Sequence, residues 1–459
     1  MKQFKFSKTY VAAFLYRFAF LLFVPLLQGL LFAHRGALTL VTLYGTDLLI
    51  AVLLLSVAVI RCSKLEVIKT EKTAEIRGGV IIKTAENNLL KKRGSIVLSQ
   101  GLFLRVFGAH KLKIFSGSTF STAFLKQNDA AAFLDDLITE EKEKTVPSGI
   151  FRSLLMSVSF SNALTGLLAA VPLIRRAAAV LGARQTALII EGASLTGLLS
   201  FTGLPPTLTR ISTLLFLCWI IGASTEFFSE YGLKVSFYRE KLVVSKGLIL
   251  KTKAVFDKKS VRGVIFRQSL LMFMLGLYSA VIAVNIKPKR KIHVLSAATR
   301  TGCADLEDML FGEKGKRIMY LTPPKASLWG YTYLPILCLA ATSLGIIAFP
   351  QKLIIKALLG VLSGIFSVWF LFRTVALYRT SLCIWTDFAE VKYFSGMNFI
   401  RTVFRLSDVT SAQITQSIFQ RFNGRCNLIL RVGNSKALRI KIKHLRLKDL
   451  EKYKKTGSP

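Results

Sequence analysis

The stretch RQSLLMFMLG (Arg267 to Gly276) decides how the chain is interpreted, because two close copies of it occur elsewhere. The copies are SQGLFLRVFG (Ser99 to Gly108) and TQSIFQRFNG (Thr415 to Gly424). In each copy a Gln precedes a Gly by eight residues, with apolar residues between them. A Gly or Ser after the Gln suits a helix N-cap, and the final Gly suits the left-handed position that ends a helix. The pattern predicts about two turns of helix, or a compact turn, between two strands.

Runs of alternating apolar and polar residues flank each copy, as half-buried strands do. A glycine about 20 residues upstream of the Gln predicts a hairpin turn. A helix-like stretch closes each block. The repeated unit is therefore expected to be a small β domain with one C-terminal helix, present three times. The upstream glycines are Gly79, Gly247 and Gly396, and the closing stretches are Asp129–Ile138, Ala304–Phe311 and Leu447–Lys455.

The composition is both apolar and basic. Hydrophobic residues make up 52% of the 459 residues, yet 63 Lys and Arg face 25 Asp and Glu, a formal net charge of +38. The mean hydropathy of +0.49 is high for a soluble enzyme. These two properties must lie in different segments, which is typical of a membrane protein with polar domains.

Six apolar stretches approach the ~20 residues that a helix needs to cross a bilayer. They predict six transmembrane helices in three hairpins. The third is diluted by polar residues, and the connection 175–206 between the third and the fourth holds an apolar piece that either re-enters the membrane or lies on it. The six stretches are Tyr10–Ala33, Ala37–Ile60, Ile150–Ile174, Thr207–Phe228, Ser327–Phe349 and Lys352–Leu377.

Three basic blocks lie between and after these hairpins, so all of them are expected on one side of the membrane. Because positive charge is retained in the cytoplasm, we place the blocks and both termini there, in a multi-pass protein of the cell membrane. The expected order is hairpin 1 (1–60), β domain 1 (61–149), hairpin 2 with a longer extracytoplasmic connection (150–229), β domain 2 (230–326), hairpin 3 (327–378) and β domain 3 (379–459).

This order of hairpin, glycine turn, repeated Gln/Gly element and closing helix resembles the bacterial membrane-flanking PH-like domain, in the three-copy arrangement of YdbT-like proteins. The resemblance implies an α+β membrane protein whose cytoplasmic domains have a pleckstrin-homology-type fold, a bent sheet capped by a C-terminal helix. It also implies envelope association and a smaller one-domain membrane protein of the same family as partner. An Arg common in the family is matched by Arg105 and Arg421, whereas the second copy has Phe273.

The candidate sites are structural and electrostatic. Gln100, Gln268 and Gln416 are expected to hydrogen-bond backbone, and Gly108, Gly276 and Gly424 to supply positive φ. Alternatively, the apolar residues between them form a contact surface. Arg17 and Asp47 lie deep in the first hairpin and are expected to approach one another, as a structural pair or in a transport or sensing role. Two basic runs could face anionic lipid or be merely solvated: Lys287, Lys289, Arg290 and Lys291, and Lys441, Lys443, Arg446 and Lys448.

No catalytic, cofactor or metal motif is found, since the six Cys and four His are scattered and the chain has no GxSxG, Walker or HExxH sequence. Asp135–Asp136 and Glu307–Asp308 are expected on solvated helix faces. Nucleic acid is not expected as a partner, because the spans explain the basicity. We therefore expect a non-enzymatic membrane scaffold that binds protein or lipid in an envelope maintenance or protection complex. The alternative is a membrane transporter or exporter.

Overall fold

The chain divides into two compact units. The first comprises Met1–Val146, Val235–Ser260 and Ile286–Pro288, and the second comprises Pro147–Lys234, Val261–Asn285 and Lys289–Pro459. The computed structural model describes residues 2–15, 37–70, 73–78, 84–89, 95–116, 119–138, 140–161, 182, 185, 206–284, 290–312, 315–349, 353–396, 398–433 and 438–455.

The first unit contains two sheets. Strands β1 (Lys2–Lys5), β2 (Glu66–Lys69), β3 (Thr73–Gly78) and β4 (Thr84–Leu89) form a four-stranded antiparallel sheet in that order. The other sheet has seven strands in the order β7-β6-β5-β11-β10-β9-β8. Its strands are β5 (Ser95–Gln100), β6 (Ala109–Ser116), β7 (Thr119–Lys126), β8 (Lys142–Pro147), β9 (Lys234–Tyr238), β10 (Lys241–Lys246) and β11 (Lys251–Asp257).

The core of the first unit lies between these two sheets. Because alternate residues of a strand face the same side, one face of each sheet supplies apolar side chains. Val67 and Ala74 of the small sheet pack in one cluster with Leu112 and Leu125 of the large sheet. Helix α3 closes the cluster through the fully buried Phe133. The helices of this unit are α1 (Ala37–Ser63), α2 (Leu102–Val106) and α3 (Gln127–Asp135), with residues 9–15 also helical.

The second unit repeats this plan. One sheet has seven strands in the order β14-β13-β12-β18-β17-β16-β15, and the other has three in the order β19-β20-β21. The strands are β12 (Val261–Gln268), β13 (Tyr278–Val284), β14 (Arg290–Ala298), β15 (Arg317–Leu321), β16 (Ser381–Trp385), β17 (Phe388–Ser395), β18 (Asn398–Arg405), β19 (Val409–Thr415), β20 (Arg425–Val432) and β21 (Leu438–Arg446). Buried side chains such as Phe404 and Ile440 join the two sheets in one core.

The helices of the second unit are of three kinds. Long apolar helices connect strands, one-turn helices carry the repeated element, and terminal helices close each block. They are α4 (Ile150–Phe160), α5 (Pro206–Glu230), α6 (Leu270–Met274), α7 (Arg300–Phe311), α8 (Leu328–Ala348), α9 (Leu353–Arg379), α10 (Ile418–Phe422) and α11 (Leu447–Lys455).

A strand pair brackets every group of long helices. The chain leaves from β1, β8 or β15, runs through helices, and returns as β2, β9 or β16, which is the sheet neighbour of the strand that it left. In the third case Leu321 pairs with Leu382 and Tyr320 with Cys383. Helix α8 therefore begins after one of two adjacent strands, β15, and α9 ends before the other, β16. Neighbouring strands are ~4.8 Å apart, which fixes both ends of the helical segment at one edge of the sheet.

The large sheets continue from one repeat into the next. Strand β5 of the first repeat pairs antiparallel with β11 of the second, with Gln100 opposite Lys251. Strand β12 of the second repeat pairs with β18 of the third in the same way, with Gln268 opposite Phe399. The glycine hairpin of one repeat is thereby placed beside the Gln/Gly element of the repeat before it.

The expectation of six transmembrane helices in three hairpins is wrong. Within the described residues, two helices are long and apolar enough to cross a membrane, Lys325–Ala348 and Leu358–Arg379. The stretch Ile150–Ile174 illustrates the reason: helix α4 ends at Phe160, where Ser161 has extended backbone. Its Leu155 and Met156 pack against Met272 and Ala297 of the β region. Part of the apolar surface of α4 therefore packs within the protein, and composition alone does not distinguish this from exposure to lipid.

Replacement of the fully buried Phe404 by Ala is expected to lower the free energy of unfolding by about 3–5 kcal/mol, because it opens a cavity between the two sheets. Phe404→Leu retains most of the apolar volume and is expected to cost clearly less. Chemical unfolding of both variants in mild detergent, followed by circular dichroism, checks the order. Equal losses would contradict a close-packed core at this position.

Candidate functional site

The three copies of the repeated element have the same structure. Each forms a five-residue helix, α2, α6 or α10, directly after a strand. Each helix is followed by a glycine in the left-handed region, with φ of 56° at Gly108, 66° at Gly276 and 58° at Gly424. A side chain at these positions would be strained, which explains the glycine at the end of every copy.

The polar residues of the element hold the backbone of the turn. The amide Nε2 of Gln268 donates to the carbonyl of Leu277 at 3.1 Å, and that of Gln416 donates to the carbonyl of Arg425 at 2.8 Å. In both copies the acceptor directly follows the glycine. Ser417 caps α10, because its hydroxyl accepts a hydrogen bond from the backbone N–H of Gln420 at 3.3 Å. Ser269 caps α6 in the same way, and Gln100 is buried.

Each short helix exposes large apolar side chains. Val106 is 82% exposed, Met274 74% and Phe422 84%, although residues of this size and type are usually covered. One exception, Met272, is fully buried and anchors α6 against α4. The other exposed apolar residues of the three copies are Leu102, Phe103, Phe107, Leu270, Leu271, Leu275 and Ile418.

The α6 copy lies at the end of α9, one of the two candidate spans. The guanidinium of Arg379, the last residue of α9, lies 4.4 Å from the ring centroid of Phe273 and 5.4 Å from that of Phe399. Such cation–π contacts add to the apolar packing at this junction. The hairpin tip between β17 and β18 also contacts α9, because the ring centroid of Phe394 lies 6.0 Å from that of Phe372 on α9.

The α10 copy lies at the start of α8, the other candidate span. Gln420 connects α10 to His444, because its Nε2 donates to the Nδ1 of His444 at 3.1 Å. His444 in turn packs against Tyr331 of α8, with ring centroids 5.3 Å apart. Burial, together with the charges of Lys443 and Arg425, lowers the pKa of His444 to about 4. The ring is therefore neutral at pH 7, as its acceptor role requires.

Gly330 makes this junction possible. A Cβ at Gly330 would lie 2.6 Å from Cε1 of His444, closer than carbon atoms approach without a shift. The helix α8 can therefore contact the imidazole only with glycine at this point.

A polar cavity of about 860 Å³ lies beside α6, within the size range of small-molecule sites. Its floor is the face of the sheet that carries Arg401, and α7 forms one wall. Charged, amide and tyrosine side chains dominate the lining, including Gln268, Tyr278, Arg300, Glu307, Asp308, Tyr320, Tyr378, Arg379, Glu390, Lys392, Tyr393 and Arg401.

The floor of the cavity is a buried ion network around Arg401. Its Nε lies 2.8 Å from Oε1 of Glu390, and its Nη1 lies 2.8 Å from Oε1 of Glu307. Burial pushes the pKa of Glu390 upward, but the hydrogen bonds and charge of Arg401 and the charge of Lys392 outweigh it and the pKa is lowered. The carboxylate of Glu390 is thus ionised, and one guanidinium contacts both Glu390 and Glu307, an arrangement that orders the floor.

The structure distributes the other site residues expected from sequence as follows. Arg17 lies outside the described residues. Asp47 lies in helix α1, where the structure describes its backbone but not its side chain. Lys287 and Lys289 also lie outside them, whereas Arg290 and Lys291 begin β14. The second basic run is exposed: Lys441, Lys443 and Arg446 on β21, and Lys448 on α11.

Sequence reasoning missed the cavity and its ion network. The prediction that Glu307 lies on a solvated helix face is wrong, because its side chain is 2% exposed. Its neighbour Asp308 is exposed, as expected. No sequence signal identifies Arg401 as the partner of Glu307, because the two are joined only through packing of α7 on the sheet.

Arg401→Met is expected to lower the free energy of unfolding by about 3–5 kcal/mol at neutral pH, because two buried carboxylates lose their shared cation. A lowered pKa means that Glu390 stabilises the wild type above its ordinary pKa of 4.5, and that this stabilisation is lost as pH falls through the lowered value. In the variant, burial raises the pKa of Glu390, and acid relieves the destabilisation. The difference between wild type and variant should therefore shrink as pH falls from 7 toward 4.

Lys392→Met serves as the matched control, since Lys392 contacts the same carboxylate at 3.1 Å from a half-exposed position. Lys392→Met is expected to lower the free energy of unfolding by no more than about 1 kcal/mol. Unfolding in denaturant at several pH values measures both variants. A difference for Arg401→Met that does not change with pH would contradict an ionised buried network.

Neither the known protein-family models nor the curated protein sequences include a match to this chain. The resemblance of the repeated element to membrane-flanking PH-like domains therefore remains an expectation from the residues themselves.

Proposed function

We propose that this chain is a non-enzymatic membrane scaffold whose β units bind protein or lipid at the cytoplasmic face of the cell membrane. The observation that carries the proposal is the pairing of β15 with β16. It fixes the start of α8 and the end of α9 at the edge of one sheet. Two apolar helices of spanning length then leave and return at the same β unit.

Exposed apolar surface on α8 and α9 supports a lipid environment. Only a minor share of the most apolar part of either helix is buried within the protein. Leu337, Leu344 and Ile347 of α8 and Val361 and Leu371 of α9 are all exposed. In water, such surface would be unfavourable, by roughly 25 cal/mol for each Å² left uncovered.

Exposed aromatic residues support a membrane boundary close to the β unit. Trp329 and Tyr333 lie near the start of α8, and Tyr378 lies near the end of α9. Trp and Tyr are enriched where a helix passes through the headgroup region. Lys325, Arg373 and Arg379 lie at the same helix ends, and this bias of positive charge favours the cytoplasmic side.

The remaining features favour binding over catalysis. Arg401 holds both Glu307 and Glu390, so the buried charges on the cavity floor are engaged with one another. The resemblance to bacterial membrane-flanking PH-like proteins supports an envelope maintenance or protection complex and a smaller one-domain membrane protein as partner. We also assign both termini to the cytoplasm, because positive charge favours the cytoplasmic side of the membrane.

The proposed orientation predicts which cysteine substitutions react from outside the cell. Lys259→Cys, at an 83% exposed site of the first unit, should react with a membrane-impermeant maleimide only after permeabilisation. Phe349→Cys, at the end of α8 away from β15, should react in intact bacteria. Cys338→Ala is included in both variants, because the other described cysteines are buried. Labelling of Lys259→Cys from outside would reverse the orientation.

The scaffold function predicts stable companions. Purification of the full chain in mild detergent, followed by mass spectrometry of protein and lipid, should recover a small membrane protein in fixed stoichiometry. Recovery of no companion, together with substrate-dependent flux in vesicles that contain the chain, would contradict the scaffold and favour transport. The Arg401→Met variant is not suited to this test, because its fold is expected to be weakened.

A further inference from the structure

The first unit carries an uncovered apolar edge. Helix α2 and the hairpin tip between β10 and β11 each carry large apolar side chains that are 39–82% exposed. We call these residues the apolar edge: Leu102, Phe103, Val106 and Phe107 of α2, and Leu248, Ile249 and Leu250 of the tip.

The two parts of the apolar edge form one surface. Arg105 of α2 donates from Nη2 to the carbonyl of Leu248 at 2.9 Å. A Cβ at Gly101 would lie 3.8 Å from Cδ1 of Leu250. Gln100, at the end of β5, pairs with Lys251 at the start of β11, so the sheet itself sets helix and tip side by side.

The apolar edge is held in a fixed shape. Gly247 has a φ of 100°, and a Cβ there would lie far inside contact distance of the Leu250 carbonyl oxygen, so glycine permits the tight tip. The rings of Phe103 and Phe107 contact each other with centroids 4.8 Å apart. An ordered, exposed apolar surface of this kind marks a contact site.

The two sequence segments that carry the apolar edge are basic and contain no carboxylates. The sequence contains no Asp or Glu between Glu86 and Asp129, nor between Glu240 and Asp257. These two segments include α2, the tip and the strands that carry them. Lys251 and Lys253 are exposed beside the tip, and Lys111 follows α2 on β6. An apolar surface rimmed by cations is complementary to the boundary between acyl chains and anionic headgroups.

The apolar edge lies at the end of the first unit from which an apolar helix departs. Residues 9–15 are helical, and the ring of Tyr10 lies 6.0 Å from that of Phe124 on β7. Two residues further along β7, Lys126 pairs with Ala109, which is the third residue after the end of α2. The other two copies of the element, α6 and α10, contact the ends of the candidate spans through Arg379 and His444.

We propose that the apolar edge inserts into the headgroup region of a bilayer that contains anionic phospholipid. The proposal rests on the proposed membrane function and specifies what the first unit binds. A lipid surface fits better than a protein partner, because the same exposed, acid-free element recurs at the membrane end of the second unit. There the sequence lacks Asp and Glu between Asp257 and Asp305 and between Asp408 and Asp449.

The test uses spin labels on the full chain, reconstituted in vesicles of equal parts phosphatidylcholine and phosphatidylglycerol. One label is attached at Val106→Cys in the apolar edge. The matched control is attached at Lys259→Cys, which is also exposed and lies beyond the opposite end of β11. Both variants carry Cys338→Ala. Accessibility to oxygen, which concentrates in lipid, is compared with accessibility to a water-soluble nickel chelate.

The ratio of oxygen to nickel accessibility is expected to be several-fold higher at position 106 than at position 259. Lys251→Glu with Lys253→Glu should lower the ratio at 106 in the anionic vesicles and leave it unchanged in vesicles of phosphatidylcholine alone. An unaffected ratio in the anionic vesicles would overturn the role of the cations.

Two results would overturn the proposal itself. A label at 106 that is as open to nickel as the label at 259 would show the apolar edge in water. A label at 106 shielded from both reagents, in detergent as well as in vesicles, would show that protein covers it. Extraction of the same vesicles with alkaline carbonate separates these outcomes from failure of the proposed membrane function. A chain that stays with the vesicles is integral to the membrane whatever the label at 106 shows, whereas a chain that is released contradicts the membrane function itself.

Discussion

Backbone hydrogen bonding between a strand that leaves a sheet and the strand that returns to it underlies the architecture. Each group of long helices is inserted between two such strands, β1 and β2, β8 and β9, or β15 and β16. Pairing requires the two ends to stay ~4.8 Å apart, so every helical insertion must return to its starting point. Within the second unit, the start of α8 and the end of α9 are therefore held at the edge of one sheet by the pairing of β15 with β16.

The repeated element was predictable from sequence because its determinants are local. A Gln, a cap and a glycine needing positive φ lie within ten residues, and the geometry follows from those residues alone. The hairpin turns at Gly247 and Gly396 are local in the same sense, and both have positive φ. The closing helices α3, α7 and α11 also lie where the sequence placed them, apart from a few residues at their ends.

Long-range features were not predictable. Nothing in Gln100 or Lys251 indicates that these residues pair across two repeats, because many registers satisfy the same alternation of apolar and polar residues. The ion network has the same origin, since Arg401 meets Glu307 only after α7 packs on the sheet. Apolar length was misleading for α4, whose side chains pack on Met272. Composition measures how much apolar surface exists, whereas the fold decides what covers it.

The distribution of carboxylates links these levels. Several acidic residues lie on the closing helices, as with Asp135 of α3 and Asp308 of α7, or in the buried network with Glu390, while the long segments around each repeated element contain none. A uniform basic surface would require no such separation. In the folded protein, carboxylates do reach the end of α9, because Glu307, Asp308 and Glu390 line the cavity together with Tyr378 and Arg379. The absence of acidic residues is therefore confined to the repeated elements and the strands next to them in sequence. The segments that lack Asp and Glu are thus the same segments that carry the exposed apolar residues of the repeated element, so that basic and apolar side chains lie together there.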